Sequence, residues 1–425
     1  MTEDKTSGAA SDDQIDWDAI DWQNVEKEVT RLQARILIPK SNVKMRPLGI
    51  PTIKDRAMQA LYLLALDPVA EACADPNSYG FRIGRSCADA MEQCFILLSG
   101  ARDRWIFEGD IKSCFDKISH EWLLEHVPMD RSILRKWLKC GYIERNVFSA
   151  TDEGTPQGGI ISPVLANFAL DGLERQIREV SPTAEPGSVA NRRLGVHLVR
   201  YADDFVIIAR SKDLLENTVR PLVVDFLRQR GLELSIEKTK ITHSTEGFDF
   251  LGQNVRAFGN KTLIQPSKKN VKRFLDNIRK LVKANAQTPT ARLIAMLNPK
   301  LRGWANYHRH ACSKKTFSSV DGQIFQCLWQ WAKRRHTKGG KGARWVAQRY
   351  FGTREDRKWC FFGDAVTRSG ERDRLWIYHV ASTRIVRHCK VRSLANPYSP
   401  ARYSYYTRRA NHGGSSILRT ALPIP

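Results

Sequence analysis

One segment restricts the fold of this 425-residue chain more than any other. Val196 to Tyr201 and Phe205 to Ile208 are two apolar runs separated only by Ala202, Asp203 and Asp204. Two such runs joined by so short a polar link predict a hairpin with carboxylates at its tip. A pair of acids at a turn is, on its own, compatible with an ordinary solvated loop. Flanking strands this apolar are not what a surface loop carries. A second acid-bearing strand lies upstream, where Trp105 to Ile111 contains Asp110. Carboxylates brought together from separate strands of a rigid sheet are hard oxygen donors, the set that Mg²⁺ prefers.

The rest of the chain reads as a mixture of helices and short strands. Residues 1–16 are polar and acidic and read as a disordered tail. Trp17 to Ile36 is helical, with Ile20, Val25, Val29, Leu32 and Ile36 on one face. Lys40 to Pro51 is basic and punctuated by proline, and reads as extended or hairpin-like. Asp55 to Ala72 is a strong helix whose apolar positions are Met58, Leu61, Leu64 and Ala65. A helix starts near His120, and Pro156 to Gln176 passes from a glycine-rich turn into another. Ser181 to Gly195 is a polar loop and Asp213 to Arg230 an amphipathic helix. Ser267 caps a basic helix whose apolar stripe is Val271, Phe274, Leu275, Ile278, Leu281 and Val282. Helices follow at Thr290 to Asn306 and Phe317 to His336, then a Gly/Lys linker at Thr337 to Gly342. Beyond Asn396 the chain is rich in Arg and Tyr without periodicity, and poor order is expected there.

Composition narrows the class. No apolar run is long enough to cross a membrane, and the N-terminus has no signal-peptide pattern, so the expectation is a cytoplasmic protein with no membrane partner. Nine cysteines are scattered without a C-x-x-C pair, which argues against a disulfide framework or a Cys-rich zinc site. The net charge is +23, and its distribution is one-sided. Residues 256–425 hold 36 Lys and Arg against 7 Asp and Glu, while the first 255 residues are slightly acidic. Such a surface matches a long polyanion.

Three ordered segments carry a resemblance: Asp110-Ile111-Lys112-Ser113-Cys114-Phe115, Gly154-Thr155-Pro156-Gln157-Gly158-Gly159 and Tyr201-Ala202-Asp203-Asp204. In this order they resemble the palm motifs of reverse transcriptases. Arg46-Pro47-Leu48-Gly49-Ile50-Pro51, Ser78-Tyr79-Gly80-Phe81-Arg82, Phe248-Asp249-Phe250-Leu251-Gly252 and Arg302-Gly303-Trp304-Ala305-Asn306-Tyr307-His308 are similar to the group II intron-encoded branch with its maturase domain. The resemblance covers roughly residues 17–395.

The resemblance implies an α+β, right-hand polymerase fold. Residues 17–255 would be reduced fingers and a palm with an antiparallel sheet. Residues 256–345 would be an α-helical thumb and maturase (X) domain, and 346–425 a basic, truncated connector. It implies an RNA-directed DNA polymerase that also assists the splicing and retrohoming of group II intron RNA. The metal set would be Asp110, Ile111, Asp203 and Asp204, with the three aspartates catalytic and two Mg²⁺ ions bound, or Mn²⁺ in their place. Lys40, Lys44 and Arg46 would meet the triphosphate, Phe115 would lie under the incoming sugar, and Gln157 would face template or nucleotide. Phe250, Leu251 and Gly252 would form the primer grip. Lys268, Lys269, Lys272, Arg273 and Arg302 would bind RNA. Partners would be intron RNA, an RNA template with a DNA or RNA primer, dNTPs and a DNA target.

Some residues stay open to more than one role. Phe115 also suits a core, and Arg82 suits either fingers and template or a structural ion pair. Among Trp304, Tyr307, Trp329 and Trp331, Trp329 is expected to be buried. His308, His310 and Cys312 lack a fourth ligand for a metal site. Two departures from the family matter. Arg31 to Ile36 runs almost directly into Leu37-Ile38-Pro39-Lys40, an apparent deletion in the fingers that leaves open a maturase or decayed copy without polymerase activity. Ala395-Asn396-Pro397-Tyr398 resembles the connector to an endonuclease module, but no Cys/His site follows, so no endonuclease activity is expected.

Overall fold

The computed structural model describes residues 51–100, 103–144, 147–149, 151–155, 158–180, 195–259, 261–336, 342–366, 372–399 and 403–411. The tail at 1–16, the helix expected at 17–36, almost all of the extended segment 40–51, the loop at 181–194 and the linker at 337–341 lie outside them. So do Lys40, Lys44, Arg46 and Gln157.

Ile53–Cys73 (α1) opens on Thr52, whose hydroxyl accepts from the Asp55 amide at 3.2 Å. Cys87–Leu98 (α2) opens where the Asp89 carboxylate accepts from the Ser86 amide at 2.9 Å. The strand Trp105–Asp110 (β1) leads into Cys114–Lys117 (α3), His120–His126 (α4) and Arg131–Leu138 (α5). A ribbon of Tyr142–Glu144 (β2) and Val147–Ser149 (β3) precedes Ser162–Leu170 (α6) and Leu173–Glu179 (α7). His197–Tyr201 (β4) and Asp204–Ala209 (β5) are the predicted hairpin. The amphipathic stretch after it is interrupted by a π-turn at Leu215–Val219 and finishes as Arg220–Arg228 (α8).

Four strands come next: Lys240–His243 (β6), Phe248–Phe250 (β7), Gln253–Phe258 (β8) and Lys261–Pro266 (β9). Three long helices follow, Lys268–Ala284 (α9), Thr290–His308 (α10) and Lys314–Arg334 (α11), then Ala343–Tyr350 (α12). Phe351–Arg354 (β10), Arg357–Val366 (β11) and Arg372–Trp376 (β12) form a small sheet, and Tyr403–Asn411 (α13) ends the described chain.

The central sheet has the order β4-β5-β1-β6, and its neighbours are antiparallel. Alternate residues of a strand face opposite sides, and here both sides are covered. Phe107, Leu198, Phe205 and Ile207 pack with Val164 and Leu165 of α6 and Val223 and Phe226 of α8. Ile106, Val199, Val206 and Ile208 pack with Ala90, Met91 and Cys94 of α2 and with Phe248, Phe250 and Val255 of the second sheet, β7-β8-β9. This double cover explains why the hairpin strands are so largely apolar.

A third core joins α9, α10 and α11 through Leu275, Ile278, Leu293, Leu297, Phe317 and Ile324. It does not end at residue 345. Val346, Tyr350, Phe351, Phe361, Ile377 and Val380 belong to it, so the boundary drawn from sequence cuts through one packed unit. The boundary at 255 likewise falls inside β8. The mixture of helices with antiparallel sheets makes the fold α+β.

Two expectations are corrected by packing. The apolar stripe of α1 faces outward: Met58, Leu61 and Leu64 are exposed, whereas Gln59, Leu66 and Ala70 are buried. The stretch after Asn396 is not poorly ordered over its described part. Tyr406 of α13 is fully buried against Val391 and Ala395, and the Tyr398 hydroxyl donates to Asp67. No described helix is long and apolar enough to cross a membrane.

Candidate active site

The β1–β5 register sets Asp110 directly opposite Asp204, and the β4–β5 register sets Tyr201 opposite Asp204 as well. Asp203 occupies the turn between them. The turn is tight enough to hold Ala202 at φ 56°, a left-handed conformation unusual for alanine. Asp204 keeps an exposed surface, yet its carboxyl sits in a partly dehydrated cleft. Its pKa is pushed up to about 6, by that lost hydration first and by the charges of Asp203 and Asp110 second. The Lys238 ammonium lies 2.9 Å from Asp110 Oδ2 and supplies opposite charge. The main chain beyond Asp110 is anchored where Ser235 N donates to Asp110 O at 2.8 Å and where Ile111 bridges Leu234. The Ile111 side chain is buried, so only its main chain is open to a role at the site.

The neighbouring motifs hold this arrangement in place. Ser78 pairs with Arg200 of β4, and Tyr79 N donates to Arg200 O at 2.9 Å. Gly80 passes so close to the Ala202-Asp203 turn that a Cβ there would lie 2.2 Å from Ala202 N. Arg82 is structural: its guanidinium forks onto Glu71 at 2.6 and 2.7 Å and donates to the Asp75 and Ser78 carbonyls. Sequence reasoning misses Arg200, because one arginine in an apolar strand reads as a solvent-facing position. Here it is fully buried, ion-paired to Asp171 and hydrogen-bonded to the Ala202 carbonyl at 3.2 Å. Burial raises the Asp171 carboxyl to about 6, and Arg200 opposes that rise.

Phe115 is half-buried against the core beneath the sheet and meets the Phe81 ring edge-on at 6.1 Å. Thr155 N donates to Phe115 O at 2.7 Å, so the glycine-rich loop begins against the same turn. Of the residues expected at the primer grip, Phe250 is buried in the core, which leaves Leu251 and Gly252, both at positive φ, as the accessible turn. Tyr307 OH donates to Leu251 O at 2.8 Å, and Trp304 Nε1 donates to Asn270 Oδ1 at 2.8 Å. Tyr307 therefore binds the helical unit to the palm turn, and Trp304 braces α10 against the start of α9. Trp331, not Trp329, takes the buried position on α11, while Trp329 is half-buried.

Lys268, Lys269, Lys272 and Arg273 all lie on the first two turns of α9, with Lys268, Lys269, Lys272 and Arg273 turned to solvent. Arg302 stands apart from them: its guanidinium lies 5.2 Å from the Tyr378 ring centre and lines a cavity with Arg354, Arg357 and Lys358. His308 is buried beside Asn270, and His310 meets Gln253 at 3.0 Å. Among the described residues no three His, Cys, Asp or Glu side chains converge as a preformed metal cluster. The three aspartates nevertheless have the right donor chemistry, hard oxygens of which one is already raised, first by lost hydration and then by the charge of the other two.

A family profile for reverse transcriptase (RNA-dependent DNA polymerase) matches residues 38–255, just over half of the chain. The chain belongs to the reverse transcriptase family. A second profile, for the group II intron maturase-specific domain, matches residues 271–351 of this reverse transcriptase. Protein YkfC of Escherichia coli (strain K12) is 36% identical across 52% of this chain and 66% of its own length. The group II intron-encoded protein LtrA of Lactococcus lactis subsp. cremoris is 31% identical across 64% of this chain and 60% of its own. The chain thus spans less than two thirds of the length of these relatives. Among solved structures, an apo telomerase from Candida Tropicalis is 12% identical, covering 70% of this chain and 60% of that one at a TM-score of 0.37, too low to inform the fold.

Proposed function

We propose that the protein is an RNA-directed DNA polymerase that also binds group II intron RNA. The observation that carries this reading is the register that faces Asp110 with Asp204 and places Asp203 on the turn beside them. The sheet beneath is buried on both faces, which gives the carboxylates a rigid base. Asp110, Asp203 and Asp204 would hold divalent metal, two Mg²⁺ ions or Mn²⁺, which supplies Lewis-acid charge to phosphoryl transfer from a dNTP to a primer 3′-end.

The chain's own residues supply position. Arg200 and Gly80 fix the turn from below, and Phe115 presents its ring beside the site as a steric gate under the sugar. The Leu251-Gly252 turn, held by Tyr307 at the Leu251 carbonyl and by the Ser267 amide at the Gly252 carbonyl, suits the primer terminus. Lys268, Lys269, Lys272 and Arg273 give α9 a basic, exposed start fitted to RNA phosphates. Lys40, Lys44, Arg46 and Gln157 are proposed for the nucleotide and template by resemblance.

A second reading, an intron-RNA-binding maturase that no longer synthesises DNA, is favoured by the short stretch between Ile36 and Lys40. Primer extension on an RNA template with dNTPs and Mg²⁺ separates the two. The wild type is expected to extend the primer and Asp203→Ala to lose that activity. Extension that survives Asp203→Ala counts against the polymerase site. A folded wild type that binds intron RNA without extending any primer supports the maturase reading.

A further inference from the structure

A cavity of about 590 Å³ opens beside the aspartates, between the start of α2, the end of β4, the end of α10 and the chain after Val386. Tyr201, Cys87 and Tyr307 form its wall on the active-site side. Tyr201 stands opposite Asp204 in the β4–β5 register, and the Tyr307 hydroxyl, held high first by burial, also feels the Asp204 charge. Tyr307 is the residue that grips the Leu251 carbonyl. Tyr307 thus both lines the cavity and touches the turn proposed for the primer terminus.

Its charge is unusually one-sided. No carboxylate of the described residues lines it, whereas five arginines and two histidines do. Some of these cations are already engaged. Arg85 is buried against Glu71 and the carbonyls of Pro76 and Ser393. His388 and Arg409 lie 2.9 and 2.6 Å from Asp89 beneath the cavity. Others are less committed. Arg309 and Arg387 make no ion pair or side-chain hydrogen bond with a described residue, although Arg387 lies within the electrostatic reach of Glu92. Among the described residues, Arg408 bonds only the Ser404 carbonyl of its own helix. Asp89 is thus neutralised, and the positive charge of Arg309, Arg387 and Arg408 is left to face the open volume.

We infer that this cavity binds the phosphodiester backbone of the primer strand just upstream of its 3′-end, with Arg309, Arg387 and Arg408 as the phosphate ligands. The inference rests on the polymerase reading above. A strand ending at Asp203 and Asp204 and lying over the Leu251 turn meets Tyr307 next and these arginines after it. The segment after Val386, which follows the helical unit in sequence, thereby completes a wall of the primer path.

The test measures binding of a labelled DNA primer annealed to an RNA template, and of the same RNA alone, across a salt series. Arg309→Ala/Arg387→Ala is compared with the wild type and with Arg309→Lys/Arg387→Lys. For the annealed pair, the alanine variant is expected to flatten the slope of log K against log salt by about 2, close to 1 per lost contact. The lysine variant is expected to retain the slope, which separates lost charge from misfolding. Binding of the RNA alone is expected to be unchanged. An unaltered slope for the annealed pair, or an equal loss for RNA alone, overturns the assignment. If the wild type extends primers while the alanine variant binds them normally, this inference fails and the polymerase reading stands. A wild type that neither binds nor extends any annealed pair ends both.

Discussion

At the scale of single residues, the position of the Ala202-Asp203 turn depends on side chains that carry no chemistry themselves. Gly80 is the clearest case. A methyl group there would lie 2.2 Å from Ala202 N, far inside van der Waals contact. Gly80→Ala must push the turn, and Asp203 with it, by about 1 Å, a misplacement that costs about 100-fold in rate. Steady-state primer extension by a variant that melts like the wild type checks this, and an unchanged rate would show that the turn has slack. The three aspartates are legible in sequence because carboxylates that interrupt apolar strands serve neither packing nor strand pairing. Gly80 is legible only as part of a familiar motif, without its reason. Arg200 is not legible, since its partner Asp171 lies 29 residues away and neither residue breaks a local pattern. Arg82 suits two roles in sequence, and its fork onto Glu71 decides for structure.

At the scale of elements, the C-terminal segment is fastened to α2 through one carboxylate. Asp89 is fully buried, and its Oδ1 accepts from Val391 N at 2.7 Å and from Arg409 at 2.6 Å, with His388 at 2.9 Å. Burial alone would raise this carboxyl, but the His388 hydrogen bond and the Arg409 charge outweigh it and hold the pKa at about 2. The folded value lies below the ordinary aspartate value of 3.8. The contribution to stability is therefore complete above pH 3.8 and is lost as pH falls through 2. It amounts to about 2 kcal/mol. Protection factors of residues 387–399 and 403–411, taken against the intrinsic exchange rate at each pH, are expected to fall over that window, and Asp89→Asn to reproduce the loosening at neutral pH. Protection factors that stay flat from about pH 5 to 2 would place the fastening elsewhere. No local pattern announces this segment, because its order comes from contacts some 300 residues distant in sequence. The stripe of α9, in contrast, is plain in the sequence, since its packing partners are its neighbours.

At the scale of the whole molecule, the charge division read from sequence corresponds to a division of labour. The acidic part contains the central sheet and its carboxylates. The basic part contains α9 to α11, the small sheet and the segment that returns to α2. That return is not foreseeable from composition, and it places C-terminal cations beside the N-terminal half. The helix α1 has a consequence of a different kind. Met58, Leu61, Leu64 and Val69 turn a hydrocarbon stripe toward water while polar Gln59 and Glu71 lie inside. Colloidal behaviour should follow from it: sedimentation profiles are expected to broaden as concentration rises. Leu61→Lys/Leu64→Lys should sharpen them, with the aspartates untouched, and profiles indifferent to that change would mean the stripe is shielded in solution. The practical limit on handling this protein would then be set by a greasy ridge on one helix rather than by its large net charge.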